Sequence, residues 1–530
     1  MSEPETHRSD PWLPHVLFVV AVWAAARIVM ALTHPDPSLA FGHDASYLWI
    51  VARNVLEGVG FVNDAHWLIF LHPDELPIPY HNAAPLYPWL VSWMARIPGL
   101  DLVSAGYLIN AVAGISLVFA VAWLLRHFSV ARSSAVAMGL IVALFEPVAT
   151  VTILYGTNAL PLLFGVLTFA AALSKVRFAA LLAGAFFGLA WLSRSDAILL
   201  LPALALYLAV RDGLRPAAGR LIAMGASAAA VASPWLLHTW RVWGDPLRSD
   251  SPYYLVQDFV AIRVQGITVW ELWHSLEPPE GLLSVVAAHP AEFIAHVAAG
   301  VPSVVIHALA DWARLSIPIA GVLAVTGGIG AVVMVRRYPL ETFALAVLAA
   351  THVALWAIRS LTFETRYFSI LALFFGLVCC VGFHAIASRL RRGPRPGLAV
   401  GLLTTAAAAT LLIPSVSNAL NLRSPNPEVL AHDEFYSAVD AAATDGGPVV
   451  VGDKPYYFTR LTERSSLSIP YSDDAYLLEF MQKYGARHVA LTDAEIQFWK
   501  PEWLEGGLPD FLEPVEGLPS HVFRLVGDRP

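Results

Sequence analysis

The sequence predicts a mainly α-helical bundle that crosses a membrane many times and ends in a small soluble α/β domain. Three observations predict it. The 530 residues are 57% hydrophobic and only 14% charged, with a mean hydropathy of +0.60, whereas soluble domains carry about one-quarter charged residues. Apolar runs long enough to cross ~30 Å of hydrocarbon recur up to about position 415. After Pro414 the composition changes to that of an ordinary soluble domain.

The apolar runs lie at roughly 12–33, 103–125, 133–153, 158–174, 178–193, 196–210, 219–240, 316–335, 340–358, 366–388 and 397–415, about eleven spans. The first is too long for the apolar core of a signal peptide and lacks a clear small-x-small cleavage site, so it reads as a retained helix. Orientation follows from the basic residues. With the N-terminus in the cytoplasm, the inner loops receive Arg126 and Arg132, Lys175 and Arg177, Arg211, Arg215 and Arg220, Arg336 and Arg337, then Arg389, Arg391, Arg392 and Arg395. Every basic cluster then falls on one side, and the C-terminal part falls on the other. The chain divides into a transmembrane module, 1–418, and an extracytoplasmic α/β domain, 419–530, with long outer loops at 34–102 and 241–315.

In the first outer loop, Ala45 to Glu57 has helical periodicity. Ser46, Arg53, Asn54 and Glu57 share its polar side, Tyr47, Leu48, Val51 and Val55 the apolar side, and Asp44 extrapolates onto the apolar side. Pro85 to Ile97 is too short to span and carries Trp89 and Trp93, so it reads as an interfacial helix. Residues 284–314 look similar, and a partial or twelfth span there is the alternative. In the last domain, 448–453 reads as a buried strand, 475–486 as an amphipathic helix, 487–493 as a second strand, and 521–526 as an alternating edge strand. Asp473 and Asp474 read as capping residues of the helix that follows.

Composition excludes some functions. Net charge is -8 and no basic, aromatic-interleaved patch of the nucleic-acid-binding kind occurs. Cys379 and Cys380, adjacent in an apolar run, suit neither a structural disulfide nor a metal site. A transporter would carry ionisable groups in mid-span, and here that inventory is Arg27, Glu146-Pro147 and little else. Arg27 reads as the partner of a carbonyl or acid, and Glu146-Pro147 as a kink. The polar residues collect at the outer rim: Asp44, Asp64, His72, Asp74, Glu75, His81, Asn158, Arg194, Asp196, His238, Arg241, Arg359, Glu364 and Arg366. That distribution fits a site at the membrane boundary. Asp44 itself has two compatible readings, an N-cap and a carboxylate that accepts a proton from a hydroxyl.

"DASYLWIVARNVLEGVGF" from Asp44 to Phe61 resembles the first-loop motif of the polyprenol-dependent integral-membrane glycosyltransferases of the GT-C fold. That superfamily includes protein O-mannosyltransferases and lipid A aminoarabinose transferases. Four further segments are similar to the family's in order: "HNAAPLYPWLVS" (81–92), "LSRSDAILLLPALAL" (192–206), "SPWLLHTWRVWGDPL" (233–247) and "FETRYFSILAL" (363–373). The resemblance implies a GT-C transmembrane fold in the bacterial plasma membrane, a polyprenyl-phosphate sugar as donor, and a glycan, lipid or protein acceptor. It implies Asp44 as catalytic base, with inversion at the anomeric carbon. It implies substrate-binding roles for Tyr47, Arg53, His81, Tyr87, Asn158, Arg194, Asp196, Arg241, Arg359, Glu364, Arg366 and Tyr367. The leaving phosphate needs cations, for which Arg366 and Arg359 come first, with Arg241 and Arg194 behind them.

The sequence departs from the family where acids are common, with Ala45 after Asp44 and Asn158 in the next outer loop. One carboxylate with neutral donors binds Mg2+ or Mn2+ poorly, so metal-independent transfer is expected, with Asp64, Asp74 or Glu75 the alternatives for holding a divalent cation. A multi-span transporter of lipid-linked or small substrates is the competing function.

Overall fold

The structure is a computed structural model and describes residues 13–32, 43–67, 74–80, 84–153, 155–174, 176–249, 256–275, 282–313, 317–359, 369–390, 427–452, 454–518 and 521–526. The span expected at 397–415 lies outside them. The chain begins with α1 (Leu13–Leu32), followed in the first long loop by α2 (His43–Leu56), β1 (Val62–Asn63), β2 (Ala65–His66), β3 (Ile78–Pro79) and α3 (Leu86–Met94). Then come α4 (Leu102–His127), α5 (Arg132–Leu144), α6 (Glu146–Val151), α7 (Ala159–Leu173), α8 (Ala179–Ser193), α9 (Leu200–Asp212) and α10 (Leu214–Trp243). The second long loop holds α11 (Val269–Trp273), α12 (Leu282–Ala288) and α13 (Pro290–Ala313), and the bundle closes with α14 (Ile317–Arg337), α15 (Pro339–Ile358) and α16 (Ser369–Leu390).

Among the described residues, five helices are long and apolar enough by themselves to cross a membrane: α1, α4, α10, α15 and α16. The chain is a multi-pass membrane protein. The expected run 133–153 is broken at Phe145, where α5 stops and α6 begins with Pro147 in its first turn, as a proline without an N–H requires. α7 and α8 have 15 residues each and reach only about 22 Å. Irregular backbone at 155–158 and the 3-10 turn Ser195–Leu199 extend them, and such backbone is tolerated at depth only where protein or a cavity covers it. Between α14 and α16 the contact is made by glycines. A Cβ on Gly330 would lie 1.9 Å from the Val378 carbonyl, and one on Gly382 would lie 1.9 Å from that of Thr326, so only glycine permits this close approach.

Polar contacts identify two ends of the bundle. At one, His127 Nε2 lies 2.9 Å from Glu341 and the Tyr207 hydroxyl 3.3 Å from the same carboxylate. Arg211 donates to the Ala172 carbonyl at 3.2 Å and pairs with Asp212, which Arg220 meets at 3.1 Å. Arg126, Arg211, Arg220 and Arg336 therefore share this basic end. At the far end Arg27 donates to the Thr152 carbonyl and, at 3.0 Å, to its hydroxyl, which is the carbonyl partner expected for it. α13 belongs to the far end too. Its His296 donates to the Ile358 carbonyl at 2.9 Å, and Val304 packs on Trp356 and Ala357 in the last turn of α15.

Over the far end sits a six-stranded sheet in the order β2-β5-β4-β6-β8-β7. Its strands β4 (Val449–Val451), β5 (Ser466–Ser468), β6 (His488–Leu491), β7 (Leu512–Pro514) and β8 (His521–Leu525) alternate with α17 (Pro427–Ala442), α18 (Pro455–Thr462), α19 (Asp474–Tyr484), α20 (Asp493–Trp499) and α21 (Pro501–Leu504). The strands expected around 448–453, 487–493 and 521–526 and the helix at 475–486 are present. β8, expected at the edge, is interior, because β7 covers it antiparallel. The opposite edge is β2 of the first long loop, parallel to β5 with Ala65 opposite Ser466. Asp473 caps α19, accepting from the Tyr476 amide at 2.9 Å.

Candidate functional site

The far end brings two groups of polar side chains into the first loop and the bundle mouth. The first is α2. The helix begins at His43 rather than Ala45, so Asp44 lies inside its first turn, exposed, instead of occupying the N-cap. There a carboxylate still interacts favourably with the positive helix end. The side expected to be polar is solvated only at its end: Ser46 is 0% exposed and Asn54 2%, Arg53 is half-buried, and Glu57 is exposed. Neighbours that no local pattern can announce cover it, namely α3, α4, β1 and α18.

α2 is fixed by two kinds of contact. Asp64 pairs with Arg53 and accepts from Asn54 Nδ2 at 2.9 Å, while its backbone carbonyl accepts from the Ser466 amide at 3.3 Å. One residue thus links the Asp44 helix to the sheet, and its carboxylate is taken by Arg53 and Asn54 rather than open to a cation. Arg53 also stacks on Trp49, 5.5 Å from the ring centroid. The aromatic contact runs through Tyr47, 5.4 Å from Tyr80 and 4.8 Å from Tyr456 of α18. Beyond Tyr80 follow Phe61, Trp235 and His238 of α10. Burial, then the neighbouring Tyr456, pushes the Tyr80 phenol well up, so it stays neutral. Tyr87, fully buried in α3, accepts from the Gly156 amide at 3.1 Å, and Asn110 donates to the Gly156 carbonyl at 3.0 Å. These two bonds tie α3 and α4 to the 152–158 segment.

The second group follows that segment. Asn158 Oδ1 accepts from Arg194 at 2.6 Å, and Arg194 grips Asp196 through Nε at 3.1 and 3.2 Å and through its terminal nitrogen at 2.9 Å. The three residues line a cleft together with His352 of α15 and Ser369 at the start of α16. Neither His352 nor Ser369 was singled out from sequence. The available signal was an ionisable residue within an apolar helix, present in "THVALWAI".

The remaining expected site residues are dispersed. Arg241 is exposed in the last turn of α10. Arg359 follows α15, its guanidinium 5.7 Å from the Trp356 ring centroid. His81, Glu364, Arg366 and Tyr367 lie outside the described residues, as does His72. Among the described residues, no three His, Cys, Asp or Glu side chains converge as a metal-binding group would.

Residues 82–238, well under half of the chain, match the sequence profile of the family described as dolichyl-phosphate-mannose-protein mannosyltransferase. No curated protein matches the sequence. Among solved structures the chain is similar to ArnT from Cupriavidus metallidurans bound to undecaprenyl phosphate, with a TM-score of 0.57 at 11% identity over 97% of this chain and 98% of that one. It is similar also to the apo state of the same protein, with a TM-score of 0.56 at 12% identity over 92% and 95%. The architecture is therefore that of the polytopic GT-C fold.

Proposed function

We propose that the protein transfers a sugar from a polyprenyl-phosphate donor to a hydroxyl of an envelope acceptor, lipid, glycan or protein, with Asp44 as the base. The carrying observation is the exposure of Asp44 at the start of an otherwise buried helix, at the mouth of an ArnT-like bundle. The far end is the outer face of a bacterial plasma membrane, the basic end is cytoplasmic, and residues 419–530 lie outside. The collection of Arg126, Arg211, Arg220 and Arg336 at one end supports that orientation.

In the reaction the acceptor oxygen forms a bond to the anomeric carbon as Asp44 takes its proton. The bond from that carbon to the phosphate oxygen breaks, and the electron pair leaves with the polyprenyl phosphate, inverting the centre. Asp44 acts as general base, a contribution of roughly 10²–10⁴-fold. Arg359 and Arg366 are the cations assigned to the leaving phosphate. Arg194 ranks below them because Asp196 already neutralises it. A resident divalent cation is not needed by this scheme.

Transport of an intact lipid-linked substrate is favoured by one observation, the buried His352 within an apolar helix. Purified protein incubated with radiolabelled undecaprenyl-phosphate sugars and envelope extracts separates the two. Transfer of label from one donor to an acceptor is expected. Translocation without cleavage, or no cleavage of any donor, overturns the proposal.

A further inference from the structure

We infer that the six-stranded sheet and its helices serve to place the Asp44 helix, and that Tyr456 is the positioning residue through which they do so. The inference rests on the glycosyl-transfer reading, which makes Asp44 the base, and adds to it a residue remote in sequence.

The strand order bears on what the sheet is for. β5, β4 and β6 are parallel, and α18 and α19 connect β4 to β5 and β5 to β6, so the two later strands flank β4 on opposite sides. In such a sheet a ligand enters at the carboxyl ends of the strands, in the crevice where the order reverses, here between β4 and β6. Protein fills that crevice. The Glu495 carboxylate accepts from the Thr492 amide at 2.8 Å and from its hydroxyl at 3.0 Å, and a Cβ on Gly452, directly after β4, would collide with it. The other carboxyl ends hold the outer loops. Past β5, the Ile469 carbonyl accepts from His274 Nδ1 at 2.8 Å, and the Tyr471 amide donates to the His274 carbonyl at 2.8 Å. Past β2, the Trp67 ring lies 4.6 Å from Trp273 of the second loop and 6.3 Å from Tyr456.

α18 is set by one residue of β5. The Ser466 hydroxyl, buried, donates to the Pro455 carbonyl at 2.7 Å and therefore accepts from the Thr459 hydroxyl at 2.7 Å. The Ser466 amide donates to the Asp64 carbonyl, so the same residue fixes α18 and the first loop relative to each other. α18 packs on α2, and there Tyr456 meets Tyr47 with ring centroids 4.8 Å apart and both side chains buried. Such a pair stabilises beyond the area it buries. Tyr47 is three residues after Asp44 and on the same side of α2, so the Tyr456 ring stands against the turn that carries the base.

The test measures transfer kinetics and amide hydrogen exchange on the whole chain in nanodiscs, for wild type, Tyr456→Ala and Tyr456→Phe. Tyr456→Ala is expected to lower kcat on the order of tenfold with KM within about twofold, since a misplaced base costs rate rather than binding. It should quicken exchange in α2 while β6 and β8 exchange as in wild type. Tyr456→Phe keeps the ring and should recover most of both losses. Unchanged exchange in α2 of Tyr456→Ala overturns the inference. So does exchange that quickens equally in α2, β6 and β8, which loss of the fold alone would give, or a phenylalanine variant as impaired as the alanine one. The exchange readout is separate from transfer: a wild type that transfers no sugar, with quickened exchange confined to α2 in Tyr456→Ala, would sink the proposed reaction and keep Tyr456 as the residue that places α2.

Discussion

Both ends of the bundle carry an arginine gripping an aspartate, and the two pairs differ in what surrounds them. At the basic end Arg211 and Asp212 are joined by Arg220, the Ala172 carbonyl and Tyr207, and through Tyr207 by Glu341 and His127. That network links α4, α7, α9, α10 and α15. At the far end Arg194 and Asp196 meet Asn158 and then an open cleft. The two pairs are about equally covered, yet one fastens five helices and the other lines a cleft. The cleft-lining pair is on the side that carries Asp44.

Breaking the pairs should separate these roles. Asp196→Ala leaves Arg194 partly buried without its carboxylate, and losing one partner of such a pair has a large effect. Transfer should fall on the order of 10²-fold, with donor affinity falling alongside it. Glu341→Ala at the basic end should lower the thermal midpoint by a few degrees and leave the transfer rate within about twofold, as a fastening role requires. If both variants lose activity equally, the contrast between the ends is wrong. Michaelis kinetics with a thermal melt on each protein decides it.

A smaller effect is expected one step from Asp44. Asp64→Ala removes the partner of Arg53 and Asn54 and loosens α2 from the sheet, while Asp64→Asn keeps a hydrogen bond to Asn54. The alanine variant should lose about tenfold in kcat with little change in KM, since a misplaced base costs rate rather than binding. The asparagine variant should recover part of it. An effect on KM alone would mean that Asp64 does not act through Asp44.

The smallest effect is on the six-stranded sheet. His488 is buried in β6, and burial lowers its pKa despite Asp445, helped by the cations of Arg524, Arg464 and Arg487. A histidine depressed in the folded state takes up its proton first in the unfolded state. Stability is therefore full above the ordinary histidine value of about 6.5 and declines as pH falls below it. Hydrogen exchange in residues 449–525 should quicken between pH 7 and pH 5, and His488→Gln should flatten that dependence.

Much of this architecture is legible in the sequence. Hydropathy fixes the helices of the bundle because lipid demands long apolar runs with internally bonded backbone. Proline marks the break at Phe145, and the charge bias groups Arg211 and Arg220, which meet at Asp212 at one end of the bundle. α13 stays ambiguous because its 24 residues suit a span or an interfacial helix. The strand β5 reads as nothing in sequence: Ser-Leu-Ser is three residues long, and its pairing partners come from Ala65–His66 and Val449–Val451. The same remoteness hides the site. Asp44, Asn158, Arg194 and Asp196 stand out as polar residues at the rim, yet nothing local says that Arg194 meets Asn158. A single histidine among Thr351, Val353 and Ala354 looks like core, and His352 becomes visible only when its ring is seen to line the cleft.

The account stands or falls on Asp44. The direct measurement is single-turnover transfer from the donor that wild type uses, comparing wild type with Asp44→Asn under saturating donor, with donor binding measured on both. The account predicts a rate at least about 10²-fold lower in the asparagine variant, with donor binding unchanged. An Asp44→Asn protein that transfers sugar at the wild-type rate would contradict it.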